Sequence, residues 1–178
     1  MKCMLGTTQV EVVRGDITQE RSEAIVNAAN TSLLGGGGVD GAIHRVGGPA
    51  ILEECKKLGG CETGDAKITT AGRLFAKKLI HTVGPVYRDG KHGEPHLLAS
   101  CHRRSLEMAL KHGLKSISFP AISCGVYGYP VADAARVVMA TIKEFVETHA
   151  GIASIRFVLF TEDIEREFES ALRAIQPK

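Results

Sequence analysis

The chain lacks any stretch approaching the ~20 consecutive apolar residues that a bilayer-spanning helix needs. Its N-terminus lacks a basic region followed by an apolar stretch. No membrane span and no secretory signal are expected, and the cytoplasm is the simplest compartment. An excess of one charge is missing too: 22 basic and 20 acidic residues leave a formal net charge of +2. No block of like charge stands out, so electrostatics indicate no nucleic-acid partner. The five cysteines, Cys3, Cys55, Cys61, Cys101 and Cys124, form an odd, irregularly spaced set without a Cys-x-x-Cys. That argues against a disulfide framework and for a reducing compartment. Cys55, Cys61 and a histidine match no common structural zinc spacing, so no metal is expected. Linkers, internal repeats and low-complexity tracts are also absent. A length of 178 residues, 44% apolar and 24% charged, suits one domain over residues 1–178 with a real core. Nothing demands more than a monomer.

What is present alternates strand and helix signals. Strand character falls on Gln9–Arg14, Ala24–Ala29, Ala66–Thr70, Leu79–Val83, Ser116–Ala121 and Ser154–Phe160. The last two are near-continuously apolar, as strands buried on both faces are. Val131, Ala135, Val138, Ile142 and Val146 mark one helical stripe, and Ile164, Phe168, Leu172 and Ile175 another. Leu97–Lys111 reads as a third helix, and Val39–Leu58 as two pieces broken at Gly47-Gly48-Pro49. This alternation implies an α/β domain, a sheet between helical layers. The short connection between Ala66–Thr70 and Leu79–Val83 makes that pair antiparallel and the sheet mixed. Arg88–Pro95 is the expected exposed loop.

Two glycine-rich loops, Gly35–Gly38 and Ser123–Gly128, each follow a strand and open a helix. The first turn of a helix offers unpaired N–H groups and a partial positive charge. Glycine lets the backbone approach an anion closely. Two such loops at strand ends can cradle a pyrophosphate without many lysines. Ordering four consecutive glycines costs on the order of 1 kcal/mol each beyond alanine, which argues against their serving chain reversal alone. The loops contain no Gly-x-x-x-x-Gly-Lys-Ser/Thr. Gly36, Gly38 and Gly41 match Gly-x-Gly-x-x-Gly literally. However, Asn30 to Gly35 separate them from their strand, and the acidic residue at the expected offset, Glu62, precedes a strand rather than ending one.

Six blocks in order along the chain resemble the macrodomain family, specifically its MacroD-type branch of O-acetyl-ADP-ribose deacetylases and mono-ADP-ribosyl hydrolases. They are Gly15-Asp16-Ile17-Thr18, Asn27-Ala28-Ala29-Asn30, Gly35 through Arg45, Gly47-Gly48-Pro49, His81-Thr82-Val83-Gly84-Pro85 and Phe119 through Pro130. The resemblance implies a three-layer α/β/α domain with a mixed, mostly parallel sheet of six strands and ADP-ribose in the cleft. It implies that Asp16 bonds the adenine amine, with the Ile17 backbone on the base. An N-cap role for Asp16 is an alternative. Asn30 meets the distal ribose, or serves as a turn-forming asparagine, whereas Asn27 is the better candidate for a structural amide. Gly38, Val39 and Asp40 line the distal ribose and diphosphate. Ser123, Cys124, Gly125, Val126 and Tyr127 wrap the diphosphate through backbone N–H groups, while Tyr129 shapes the loop.

Asp40 and Asn30 are the catalytic candidates. Hydrolysis of an ester on the distal ribose needs an activated water and a positioned electrophile, and Asp40 can order that water or accept its proton. The ligand's own phosphate is an alternative base. His44, four residues on, shares Asp40's helix face and is a ligand-binding candidate that orients Asp40 or a water, with a structural role as the alternative. Close relatives commonly carry threonine where this chain has Cys124; backbone donation survives the exchange, and the thiol is a point of oxidation sensitivity. The expected ligands are ADP-ribose and its O-acyl derivatives, with ADP-ribosylated proteins as further partners and no cofactor. A non-catalytic ADP-ribose reader and a regulatory partner of an RNA-processing enzyme are the alternatives.

Overall fold

A computed structural model describes residues 1–178. Seven strands, β1 (Lys2–Leu5), β2 (Thr8–Arg14), β3 (Ala24–Ala28), β4 (Ala66–Thr70), β5 (Lys78–Thr82), β6 (Ser116–Phe119) and β7 (Ser154–Leu159), form one sheet in the order β1-β2-β7-β6-β3-β5-β4. The five strands from β2 to β5 in that order are parallel, and β1 and β4 run antiparallel at the two edges. The helices are α1 (Gly38–Gly47), α2 (Pro49–Leu58), α3 (Glu94–Lys111), α4 (Val131–Thr148) and α5 (Glu162–Ile175).

Alternation along the strands separates two cores. Val10, Val12, Ala24, Val26 and Ile80 pack with α3, α4 and α5, and Ile25 and Leu79 with α1 and α2. The architecture is therefore α/β/α, with helices on both faces of a mostly parallel sheet. Gly48, at a φ of 84°, ends α1 and Pro49 opens α2, as the Gly-Gly-Pro break predicts.

Two features differ from the sequence reading. The sheet has seven strands rather than six. β1 is a short edge strand whose Lys2 and Met4 face solvent, so no apolar alternation betrays it. Secondly, α3 starts at Glu94, inside the segment read as a loop. Glu94 is buried, and its carboxylate accepts the N–H groups of Arg88 (3.0 Å), Asp89 (3.1 Å), Gly90 (2.9 Å) and His92 (2.6 Å). Burial alone would raise this carboxyl, but the N–H groups outweigh it and hold it down at about 2.

The larger core encloses an imidazole. His102 on α3 lies tilted against Phe119, ring centroids 5.0 Å apart, and donates from Nδ1 to the Leu98 carbonyl (2.9 Å), while its buried Nε2 has no partner. Burial pushes it from 6.5 down to about 4. The unfolded chain takes up this proton near 6.5, and the native state resists it down to about 4. Stability therefore falls as pH drops through that window, by on the order of 3 kcal/mol from this group. Replacing His102 with leucine is expected to remove that loss. Denaturant titrations at pH 7 and pH 4.5 should show the His102→Leu variant gaining on wild type as pH falls; a pH-independent difference contradicts this.

Candidate active site

Parallel strands send their C-terminal ends to one edge of the sheet, and in open α/β sheets ligands bind outside those ends. Here β2 ends beside Asp16, β7 beside Phe160, β6 in the 120–128 loop, β3 at Asn30 and β5 near Gly84. The strand order β2-β7-β6-β3 thus sets Asp16 and Phe160 at one end, the second glycine-rich loop in the middle, and Asn30 with α1 at the other.

A cavity of about 530 Å³ occupies the middle and the β3 end. Asn30, Gly36–Asp40 and Gly84 line one part, and Ser123, Gly125, Val126 and Tyr127 the other. Its walls are rich in free backbone donors. The N-cap of α1 is Gly37, which offers no side chain, and the N–H groups of Gly38, Val39 and Asp40 bond nothing within the protein. In the facing loop the N–H groups of Ser123, Gly125, Val126 and Tyr127 are equally free. Ser123 holds a φ of 65°, a left-handed conformation that costs a non-glycine residue about 1 kcal/mol or more and is the backbone state from which anion nests are built. No lysine or arginine lines the cavity, so charge on an anion there meets N–H groups and the α1 dipole alone.

The loops meet because two glycines permit it. A Cβ on Gly84 would overlap Ser123 Oγ, and one on Gly36 would sit 3.1 Å from Asp40 Oδ2 and 3.4 Å from Asn30 Nδ2. Asn30 donates from Nδ2 to the Gly35 carbonyl (2.8 Å), and its Oδ1 accepts the Ser32 N–H (3.1 Å) and hydroxyl (2.6 Å). The turn-forming role of Asn30 is thus realised, and one amide hydrogen remains for the cavity.

Asp40, 4% exposed, accepts the Asn27 amide at Oδ1 (2.8 Å). Its Oδ2, beside Gly36, accepts nothing within the protein. His44 Nε2 lies 3.3 Å from Asp40 Oδ1. It is misaligned for a hydrogen bond and ends buried without a partner, and His44 does not line the cavity.

Asp16 and Ile17 lie beyond this cavity, on the turn after β2. Asp16 Oδ1 caps that turn by accepting the Thr18 N–H (2.9 Å) and hydroxyl (2.7 Å), which leaves Oδ2 free. The Ile17 N–H is also free. One acceptor beside one donor matches the amine and adjacent ring nitrogen of an adenine.

Cys124 is placed otherwise than expected. Its N–H bonds the Ala121 carbonyl (3.3 Å), which takes it out of the donor set, and it does not line the cavity. Burial pushes its thiol up to about 12, so it stays protonated and unreactive, and oxidation sensitivity is not expected after all. Tyr129 is buried 4.7 Å from Tyr87, shaping the loop from behind. Asp89, His92 and Glu94 cluster outside the cleft, but Glu94 spends both oxygens on backbone N–H groups.

Sequence reasoning missed Phe160, which is 84% exposed. Gly15 N–H bonds the Leu159 carbonyl, so the backbone of Phe160 follows directly on the strand end that lies alongside the Gly15–Asp16 turn. An exposed aromatic directly after an apolar strand was the available signal.

The Macro domain family profile matches residues 26–138. An Escherichia fergusonii protein named O-acetyl-ADP-ribose deacetylase is 51% identical over 93% of this chain and 96% of its own length. The solved Oceanobacillus iheyensis macrodomain with ADP superposes with a TM-score of 0.94 at 41% identity, over 98% of this chain and 95% of the other. A Trypanosoma brucei macrodomain in complex with ADP-ribose gives a TM-score of 0.86 at 44% identity, over 92% of this chain and 68% of the other. With its mixed seven-stranded sheet, two-sided helical cover and strand-end cleft, this chain belongs to the Macro domain family.

Proposed function

We propose that this protein binds ADP-ribose along the strand ends and hydrolyses esters on its distal ribose. The substrates are O-acetyl-ADP-ribose and, through the same ester linkage, mono-ADP-ribose on acidic side chains of proteins. The observation that carries this reading is the pairing of an anion nest without cations and a buried carboxylate beside it. Asp16, Ile17 and Phe160 take the adenine; the free N–H groups of α1 and the 123–127 loop take the diphosphate; the distal ribose then reaches Asn30 and Asp40. Water attacks the acyl carbon while Asp40 Oδ2 orders it and receives its proton. The ribose–acyl bond breaks as Asp40 returns that proton to the leaving ribose oxygen, and the free acid and ADP-ribose separate with the carboxylate regenerated. The similarity to proteins named O-acetyl-ADP-ribose deacetylase supports this chemistry.

The test incubates the protein with O-acetyl-ADP-ribose and, separately, with glutamate-ADP-ribosylated protein. Acetate release from the first and ADP-ribose release from the second are expected; release from neither refutes the hydrolase. Replacing Phe160 with alanine removes an exposed ring that supports no core. The expected result is unchanged thermal stability with ADP-ribose affinity lowered roughly 5- to 100-fold, as for the loss of one base–aromatic stack. Unchanged affinity would move the adenine elsewhere.

A further inference from the structure

Asn27 belongs to none of the ligand contacts, yet it and its neighbours form a directed chain of hydrogen bonds that ends on Asp40. Thr69 Oγ1 donates to the Thr70 carbonyl (2.8 Å), so the 2.9 Å contact between Thr69 Oγ1 and His81 Nε2 requires the imidazole to donate. The proton of His81 therefore sits on Nε2, with Cys55 Sγ a second, weak acceptor at 3.7 Å. Nδ1 is left as an acceptor, 3.2 Å from Asn27 Nδ2. The other hydrogen of that amide goes to Asp40 Oδ1 at 2.8 Å. Asn27 and His81 are fully buried, and Thr69 nearly so, so none of the three touches ligand.

We propose that His81, held by Thr69, is a positioning residue that fixes the Asn27 amide with its nitrogen toward Asp40, and so sets the Asp40 carboxylate for the reaction. The alternative amide orientation would bring Asn27 Oδ1 against both the Asp40 oxygen and the His81 lone pair, two repulsive contacts in a buried site. Burial, with the nearby His44, pushes His81 down to about 4, so its Nδ1 remains an acceptor at neutral pH. The titratable groups around it are His44 and Asp40 on α1 and Glu54 and Cys55 on α2. The proposal rests on Asp40 acting on substrate.

The tautomer can be read without any variant. Nitrogen NMR of the labelled wild-type protein should show His81 protonated at Nε2 and bare at Nδ1; the opposite tautomer overturns the proposal even if the protein is an active hydrolase. The functional arm uses His81→Leu and Thr69→Val with O-acetyl-ADP-ribose. Both are expected to lower kcat about 10- to 100-fold, with KM and the ADP-ribose Kd within threefold of wild type. His81→Gln, whose carbonyl again offers Asn27 an acceptor, should recover part of kcat. Equal losses in kcat and binding, or no recovery by glutamine, would reduce His81 to a packing residue and overturn the claim. A wild-type protein that shows the Nε2 tautomer but turns nothing over removes the function proposed above, and the positioning claim with it.

Discussion

The Asp40→Ala variant is expected to bind ADP-ribose within a few-fold of wild type while its turnover of O-acetyl-ADP-ribose falls by roughly 10²–10⁴, the usual worth of a positioned acid–base group. The separation follows from the geometry. In the proposed binding mode affinity comes from the N–H groups of Gly38, Val39, Ser123, Gly125, Val126 and Tyr127, which are free within the protein, and truncating Asp40 leaves those in place. The Asp40 carboxylate is the one charged group in the cavity wall, and its Oδ2 is open toward Gly36. Asn27 would lose the acceptor for its amide, a buried donor left unpaired, so a stability loss of about 1–3 kcal/mol accompanies the change. The thermal midpoint should drop accordingly and the protein stay folded. Turnover at the wild-type rate would leave the ligand's phosphate as the base.

The Gly125→Glu variant separates in the opposite sense: binding is expected to disappear. A Cβ at Gly125 meets no protein atom within 4 Å, and its backbone is not left-handed, so the substitution leaves the fold undisturbed. Gly125 lines the cavity among N–H groups that are free within the protein, so the carboxylate is expected to reach into it. It fills the volume a diphosphate needs and supplies an intramolecular anion to the same donors. Loss of ADP-ribose affinity by at least 100-fold, with an unchanged unfolding curve, is the expected outcome. An unaltered dissociation constant would mean that the diphosphate lies elsewhere.

How far the sequence anticipates this molecule depends on whether a feature is local. The α1–α2 break at Gly47-Gly48-Pro49, the antiparallel β4–β5 pair and the two loops opening helices are stated by short runs of residues, and all are present in the structure. β1 is not, because an edge strand with one side in water needs no apolar pattern. Glu94 reads as one more charge in a polar loop. Its four N–H partners exist only once residues 88–92 curl around it, and burial then makes the carboxylate an organiser of that loop. Asn27 reads as structural, and it is buried, but its role depends on His81 and Thr69, which lie 54 and 42 residues away in sequence. Cys124 shows the reverse failure. Its position in the loop implied a donor, and a single turn bond to Ala121 removed it from the set.

The proposed diphosphate cradle is made of backbone alone, and calorimetric titration with ADP-ribose at low and high salt tests it most directly. A roughly micromolar dissociation constant, about −8 kcal/mol, that changes little with added salt is the predicted result, because no lysine or arginine side chain enters the cavity. No heat and no competition at millimolar ligand would contradict the cradle and the function built on it.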